Sequence, residues 1–245
     1  MKVSVITVCY NSAKTIQKTL ASVLAQNYDD YEYIIIDGAS TDGTLDIIKE
    51  YEPGFSGKMR YVSEPDSGIY DAMNKGIRLA EGDFIGIINS DDFLEADSLN
   101  EIGEMISKYP KADIIYGSIK SLHHNGGIEI SRRPHQDLPY DTMAHPGCFI
   151  SKAAYEKYGY YSNEYKIAAD YELLLRMYLH GALFQAVDCI VANFTFDGLS
   201  SRHWLRAELE KAAVSYEYKQ FTPKQYFCVK LKLLGKYCFS KLIGN

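Results

Sequence analysis

Nothing in the 245-residue sequence approaches the ~18 consecutive apolar residues of a membrane-spanning helix. One Lys precedes the apolar run at residues 3–8, which is too short for a secretory signal core and has no small-residue cleavage site. No two of the five cysteines (Cys9, Cys148, Cys189, Cys228, Cys238) have C-x-x-C spacing, which speaks against a zinc site. Their odd number and scatter speak against a disulfide framework. The expected setting is a reducing cytoplasm, where Asn193-Phe194-Thr195 is a chance glycosylation sequon. Also missing are G-x-x-x-x-G-K-[ST], a G-x-G-x-x-G after the first strand, H-E-x-x-H and G-x-S-x-G. A P-loop is therefore unsupported, and a dehydrogenase is disfavoured.

What is present fits one compact domain, or one domain with an appendage. Hydrophobic residues are 47% and charged residues 24%, too apolar for a disordered chain. The 21 tyrosines hint at polar ligand surfaces. A net charge of −6 argues against a nucleic-acid coat, which needs a basic surface. The charge is uneven: after Glu217 there is no acidic side chain but there are six lysines (Lys219, Lys224, Lys230, Lys232, Lys236, Lys241).

Apolar runs at 3–8, 33–36, 60–63 and 84–88 alternate with helical spacings that begin near Ser12, Thr44 and Ile69. Ser12 is a candidate N-cap for the first helix, and Thr41 or Asp42 for the second. This alternation predicts an α/β fold with a parallel, doubly wound sheet and ligands beyond the carboxyl ends of its strands. Further on, residues 114–122 and 128–132 read as a hairpin. A short strand at 148–150, a helix at 168–180 and two strands at 183–187 and 191–196 follow. From Trp204 the pattern is helical, with a break at Thr222-Pro223.

Four polar clusters fall at the strand ends: Cys9–Ser12, Asp37–Asp42, Glu64–Ser67 and Asn89–Asp92. Asp91 and Asp92 are adjacent carboxylates after a buried strand, and a divalent cation shared with phosphate oxygens would relieve their repulsion. A turn or helix cap explains the same residues, with Asp97 as the next cap. Asp37 is the one member of its cluster that a capped loop leaves unexplained.

In order and spacing, Thr7-Val8-Cys9-Tyr10-Asn11, the Asp37–Thr44 segment, Glu64 to Gly76, Asn89-Ser90-Asp91-Asp92 and Asp170-Tyr171-Glu172 resemble family-2 nucleotide-sugar glycosyltransferases of the GT-A fold. The resemblance covers roughly residues 1–200 and is of the bacterial cell-surface polysaccharide type. It implies a mostly parallel Rossmann-like sheet flanked by helices. The glycosyltransferase domain would span 1–203, with a nucleotide-binding half (1–92) and an acceptor-side half (93–203). A helical basic tail would occupy 204–245.

By position, the resemblance implies that Thr7, Cys9, Tyr10 and Asn11 line the nucleoside pocket, with Tyr10 against the base and Asp37 at its edge. Asp42, Asp66, Asn74 and Lys75 would surround the nucleotide, with Lys75 meeting phosphate. Asp91 would bind Mn²⁺ or Mg²⁺ as the D-x-D member, with Asp92 or Ser90 beside it. Asn89 departs from the first Asp of that motif, which implies weaker metal affinity. Asp170 would be the catalytic base of an inverting transfer, with Glu172 competing.

His145 is an acceptor-pocket candidate, and Arg202 and His203 are candidate diphosphate or metal ligands in a late loop; His123 and His124 read as exposed loop residues. The implied donor is a nucleotide-diphosphate sugar, with uracil as the family-weighted base. The implied acceptor is a glycan or lipid-linked saccharide. Residues 219–245 either contact a membrane surface, making the protein peripheral at the inner face of the cytoplasmic membrane, or pack on the domain or a second subunit. Competing readings are a polyprenyl-phosphate glycosyltransferase and a non-catalytic nucleotide-sugar-binding protein; oligomeric state stays open.

Overall fold

The computed structural model describes residues 1–123, 126–195 and 203–243, with the side chains of 242 and 243 outside that description. The first half alternates strand and helix: β1 (Val3–Cys9), α1 (Ile16–Leu24), β2 (Tyr31–Asp37), α2 (Thr44–Tyr51), β3 (Met59–Ser63), α3 (Ile69–Leu79) and β4 (Phe84–Ile87). The second half adds β5 (Phe93–Leu94), α4 (Ser98–Lys108), β6 (Ile114–Leu122), β7 (Ile128–Ser131), β8 (Cys148–Ser151), α5 (Lys152–Tyr158), α6 (Ala169–Leu179) and β9 (Phe184–Thr195). Two helices close the described chain: α7 (Trp204–Glu217) and α8 (Pro223–Ile243).

One sheet runs in the order β3-β2-β1-β4-β8-β6-β9-β5, with β7 paired to β6. The four N-terminal strands are mutually parallel, in register from Val3 opposite Tyr31 to Cys9 opposite Asp37. Beyond them the sheet is mixed: β8 is antiparallel to β4 and β6, whereas β9 is parallel to β6. Successive residues of β2 point to opposite faces. Ile34 and Ile36 meet Met73, Ile77, Leu173 and Leu174 on one face, and Tyr33 and Ile35 meet the cluster of Ile16, Leu20, Ile48 and Leu99 on the other. A strand covered on both faces must be apolar throughout, which is why β2 carries three consecutive isoleucines.

Three local features differ from the sequence pattern. Ser12 does not cap α1; its hydroxyl pairs with that of Ser90 (2.8 Å), while its carbonyl accepts from the Thr15 and Ile16 amides (both 3.0 Å). A turn therefore precedes the helix. Asp97 is the N-cap of α4 but makes no side-chain cap bond.

The two predicted strands at 183–187 and 191–196 are one strand, β9, and Phe196 lies outside the described residues. The polar break at Asp188-Cys189 is a bulge, because the register with β6 shifts between Tyr116 and Ser118. Gly117 sits at that shift, where a Cβ would stand 2.7 Å from the Cys189 carbonyl oxygen.

At the amino ends of the strands, the buried Glu32 carboxylate accepts from Ser4 Oγ (2.7 Å), Glu81 N (2.6 Å) and Gly82 N (3.1 Å). It also pairs with Arg60 (2.9 Å) and Lys2 (3.6 Å), binding β1, β2, β3 and the turn before β4 together. At the other end of the chain, α7 buries Ala207, Ala212, Val214 and Ser215. Helix α8 packs along α7 and leaves Phe227, Leu231, Leu234 and Phe239 exposed. Among the described residues no helix is long and apolar enough to cross a membrane.

Candidate active site

A cavity of about 1120 Å³ opens at the carboxyl ends of the parallel strands. Its donor-side wall comes from the β1–α1 loop (Cys9, Tyr10, Asn11, Ser12, Lys14), with Asp42, Asp66, Asn89, Ser90 and Asp91. The loops are cross-braced. Asn11, in the left-handed region (φ 50°), accepts from Thr41 N (2.9 Å) and donates its own amide to Ser40 Oγ (2.8 Å). Neither Thr41 nor Asp42 is the N-cap of α2, which is Gly43 in the left-handed region (φ 95°); Asp42 instead accepts from Ala13 N (3.0 Å), Thr44 N (3.1 Å) and Thr44 Oγ1 (2.5 Å). The Thr44 hydroxyl bond first, and these amides with it, hold the Asp42 carboxyl below its ordinary range.

Tyr10 is 66% exposed at the cavity mouth, a ring free to stack. Gly38 makes room for it: a Cβ there would lie 3.3 Å from the Tyr10 ring and 2.6 Å from Asp66 Oδ2.

Several predicted donor-site residues do not line the cavity. Thr7 is fully buried and accepts the Tyr33 hydroxyl (2.9 Å). Asp37 is fully buried as well, and its oxygens hold Ser40 Oγ (2.5 Å), Ser40 N (3.1 Å) and Ser63 Oγ (2.6 Å). Burial, then the Asp37 charge, pushes the Cys9 thiol far up, so Cys9 is a wall residue and not a nucleophile. Asn74 spends its amide on both backbone groups of Tyr161 (2.9 and 3.0 Å), tying α3 to that loop. Lys75 is drawn onto Glu64 (2.9 Å) and the Pro65 carbonyl (2.9 Å), away from the cavity. Among the described residues, Lys14 is a cation that does line the donor side; it was not anticipated from the sequence although it lies in the first strand–helix turn.

The acidic cluster divides. Asp91 lines the cavity, and its carbonyl accepts the Thr195 hydroxyl (2.9 Å). Asp92 is 1% exposed and turned inward to the Thr195 amide (3.1 Å). Burial, then the charge of Asp91, raises its carboxyl to about 7. Among the described residues no group of three or more His, Cys, Asp or Glu side chains is gathered to hold a metal. The side-chain oxygen of Asn89 is buried without a hydrogen-bond partner in a residue that lines the cavity. One carboxylate, one unpartnered amide oxygen and the oxygens of a diphosphate fit a hard divalent cation of the kind that binds few protein ligands.

Asp170 also lines the cavity, in the first turn of α6 and 22% exposed. The Tyr70 hydroxyl of α3 lies 3.3 Å from Asp170 Oδ1 and donates to the Ile167 carbonyl (2.6 Å). Burial first, and the Asp170 charge second, push Tyr70 well above its ordinary pKa, so it remains a donor. His145 lies between the two acidic motifs, with Nδ1 3.5 Å from Asp170 Oδ2 and Nε2 3.4 Å from Asn89 Nδ2. With the Asn89 amide nitrogen as donor, the ring carries its proton on Nδ1, facing Asp170.

Glu172 is not in the cavity. It is 4% exposed and held by Arg176 (2.8 and 3.1 Å) and the Tyr218 hydroxyl (2.5 Å). His203 lines the cavity, whereas His124 and Arg202 lie outside the described residues. Arg132, Arg133, Trp204 and Lys211 also line it and were not anticipated; they come from elements distant in sequence, so no local motif marks them.

The glycosyl transferase family 2 model matches residues 4–164 of the chain. A PGL/p-HBAD biosynthesis glycosyltransferase of Mycobacterium bovis is 29% identical over 205 residues, covering 81% of this chain and 78% of the relative. The crystal structure of S. aureus TarS 1-349 in complex with UDP-GlcNAc superposes with a TM-score of 0.71 at 21% identity, over 96% of this chain and 72% of that one. The mannosyltransferase PcManGT of Pyrobaculum calidifontis, in complex with GDP-Man and Mn²⁺, superposes with a TM-score of 0.73 at 16% identity, over 100% and 76%. Both structural likenesses are of fold.

Proposed function

The chain belongs to glycosyl transferase family 2, and from that premise we propose that it transfers a sugar from a uridine diphosphate donor to a glycan or lipid-linked saccharide, inverting the anomeric centre. The observation that carries this reading is that Asp91 and Asp170 line one cavity, with His145 in contact with Asn89 of the first acidic motif and with Asp170.

The acceptor hydroxyl attacks the anomeric carbon from the face opposite the diphosphate. As the new C–O bond forms and the bond to the diphosphate breaks, the hydroxyl proton passes to Asp170. The Tyr70 hydroxyl, its proton given to the Ile167 carbonyl, lies 3.3 Å from one Asp170 oxygen, and His145 faces the other, so the carboxylate has a neighbour on each side. Glu172, consumed by Arg176 and Tyr218, has no oxygen in the cavity with which to compete. Tyr10 stacks on the base, and Lys14 and Ser90 face the phosphates. Asp91 and the Asn89 oxygen would hold Mn²⁺ or Mg²⁺, which would supply charge stabilisation to the departing diphosphate. Asp92 serves from behind, bracing Thr195 and not ligating.

The lysine-only helix α8, with Phe227, Leu231 and Phe239 exposed, favours contact of residues 219–245 with the anionic inner face of the cytoplasmic membrane, where lipid-linked acceptors lie.

The test is a thermal-shift panel of UDP, GDP, TDP and CMP, each with and without Mn²⁺, on wild type and Asp91→Ala. A nucleotide at ~100 times its dissociation constant stabilises by about 2.7 kcal/mol, roughly 5–10 °C at this size. The proposal expects a UDP shift that needs both Mn²⁺ and Asp91. A GDP shift instead would replace the base, and the absence of any metal-dependent shift would remove the D-x-D role.

A further inference from the structure

Helix α7 does two things at once. Its first turns wall the cavity through Trp204, Ala207, Glu208 and Lys211. On another part of its surface, Glu210 reaches across to the chain that leads into α6. There a single oxygen, Oε2, accepts from three consecutive amides: Lys166 N (2.9 Å), Ile167 N (2.8 Å) and Ala168 N (3.2 Å). The other oxygen, Oε1, takes Arg206 Nε (2.8 Å).

Three N–H groups converging on one oxygen form an anion nest. Burial alone would raise the Glu210 carboxyl, but the Arg206 bond and the three amides outweigh it and the net shift is downward. The carboxylate stays charged and only 15% exposed.

The place of this nest matters more than its strength. Ala168 is the N-cap of α6, so the three amides belong to the chain that leads into the helix, and they are met from a different helix. Glu210 fixes them relative to the cavity wall. From the opposite side, the Ile167 carbonyl is held by Tyr70, so residues 166–168 are clamped between α3 and α7 two residues before Asp170.

Resting on the reading of Asp170 as the base, we propose that Glu210 is a positioning residue for the transfer: it sets where the Asp170 carboxylate stands relative to the α7 wall against which the acceptor binds. Glu210 exchanges no proton with substrate. Its contribution is geometric, and a displacement of about 1 Å at a reacting group is enough to cost on the order of 100-fold in rate.

The experiment compares wild type, Glu210→Ala, Glu210→Gln, Asp170→Asn and the double variant Asp170→Asn/Glu210→Ala. The assay is nucleotide release from UDP-glucose, UDP-galactose, UDP-N-acetylglucosamine and GDP-mannose, with water or a total lipid and glycan extract as acceptor. Glu210→Ala is expected to lower kcat ~10–100-fold with donor KM within about 2-fold. Glu210→Gln, whose amide oxygen accepts the same three amides, should stay within about 3-fold of wild type. In the Asp170→Asn background Glu210→Ala should cost nothing further, because a residue that acts through another loses its effect when that other is removed.

Wild-type kcat in Glu210→Ala beside an inactive Asp170→Asn overturns the positioning role alone, and so does an equal loss in both backgrounds. Wild-type kcat in Asp170→Asn overturns the base assignment first, and is read from that variant by itself. If Glu210→Ala does not fold, Glu210→Asp takes its place. Its shorter side chain cannot span all three amides, and a kcat equal to that of Glu210→Gln overturns the proposal.

Discussion

Two carboxylates two residues apart at the start of α6 have opposite fates, and exchanging each for its amide separates them. Glu172 is 4% exposed and forms a two-point pair with Arg176, whose remaining donors go to the Tyr158 and Tyr160 carbonyls. Glu172→Gln leaves a largely buried guanidinium without its counter-charge and turns an amide N–H₂ toward its donors. Breaking one side of such a pair costs ~3–5 kcal/mol. The Tyr218 hydroxyl bond goes with it, which loosens α7 from α6. For a chain of this length ~3 kcal/mol lowers the unfolding midpoint by roughly 6–12 °C.

Asp170→Asn removes no buried counter-charge, since its neighbours are a tyrosine hydroxyl at 3.3 Å and His145 at 3.5 Å. Its midpoint should move by no more than about 3 °C, while turnover falls ~100–10,000-fold. Both variants are melted by circular dichroism without ligand, then assayed at a temperature where each is folded. If Glu172→Gln melts with wild type and has lost turnover, while Asp170→Asn turns over normally, the assignment of the two acids is reversed.

Asp92 gives a pH prediction. Its carboxyl is raised to about 7, so between the unfolded value near 4 and pH 7 the native state holds the extra proton, and stability falls as pH rises through that window. Asp92→Asn should therefore gain on wild type from pH 5 to pH 8 by up to about 2.6 kcal/mol in metal-free buffer, and a difference independent of pH would refute the reasoning. Lys14→Ala should weaken UDP binding ~5–10-fold by calorimetry, with the loss shrinking in high salt, whereas Lys75→Ala should leave it unchanged; the reverse ranking would return Lys75 to the phosphates. Gly86 lies opposite Phe149 in the β4–β8 ladder, where a Cβ would come 2.4 Å from the ring. Gly86→Ala should cost ~1–3 kcal/mol in urea unfolding, with nucleotide binding retained in the folded fraction.

What the sequence made legible was what short-range patterning encodes. The strands β1, β2 and β4 are apolar runs because both faces are covered, and their polar successors mark the strand ends where the cavity opens. The mixed second half was harder to read. The bulge opposite Gly117 imitates a loop, so one strand reads as two. Lys75 and Asn74 have the right spacing within their motif but the wrong neighbours: Glu64 and the Tyr161 backbone claim them, and no motif lists its competitors. Glu210 meets amides 42–44 residues away, which no local window can register.

The Glu32 cluster gives the molecule two poles. At one, a single buried carboxylate fastens the amino ends of three strands and the turn into a fourth. At the other, the same strands deliver their carboxyl ends to the chemistry. Natural drift and deliberate engineering can therefore work on the two poles separately: changes that harden or soften the Glu32 end trade in lifetime and tolerance to heat, and leave the loops that choose donor and acceptor free to vary.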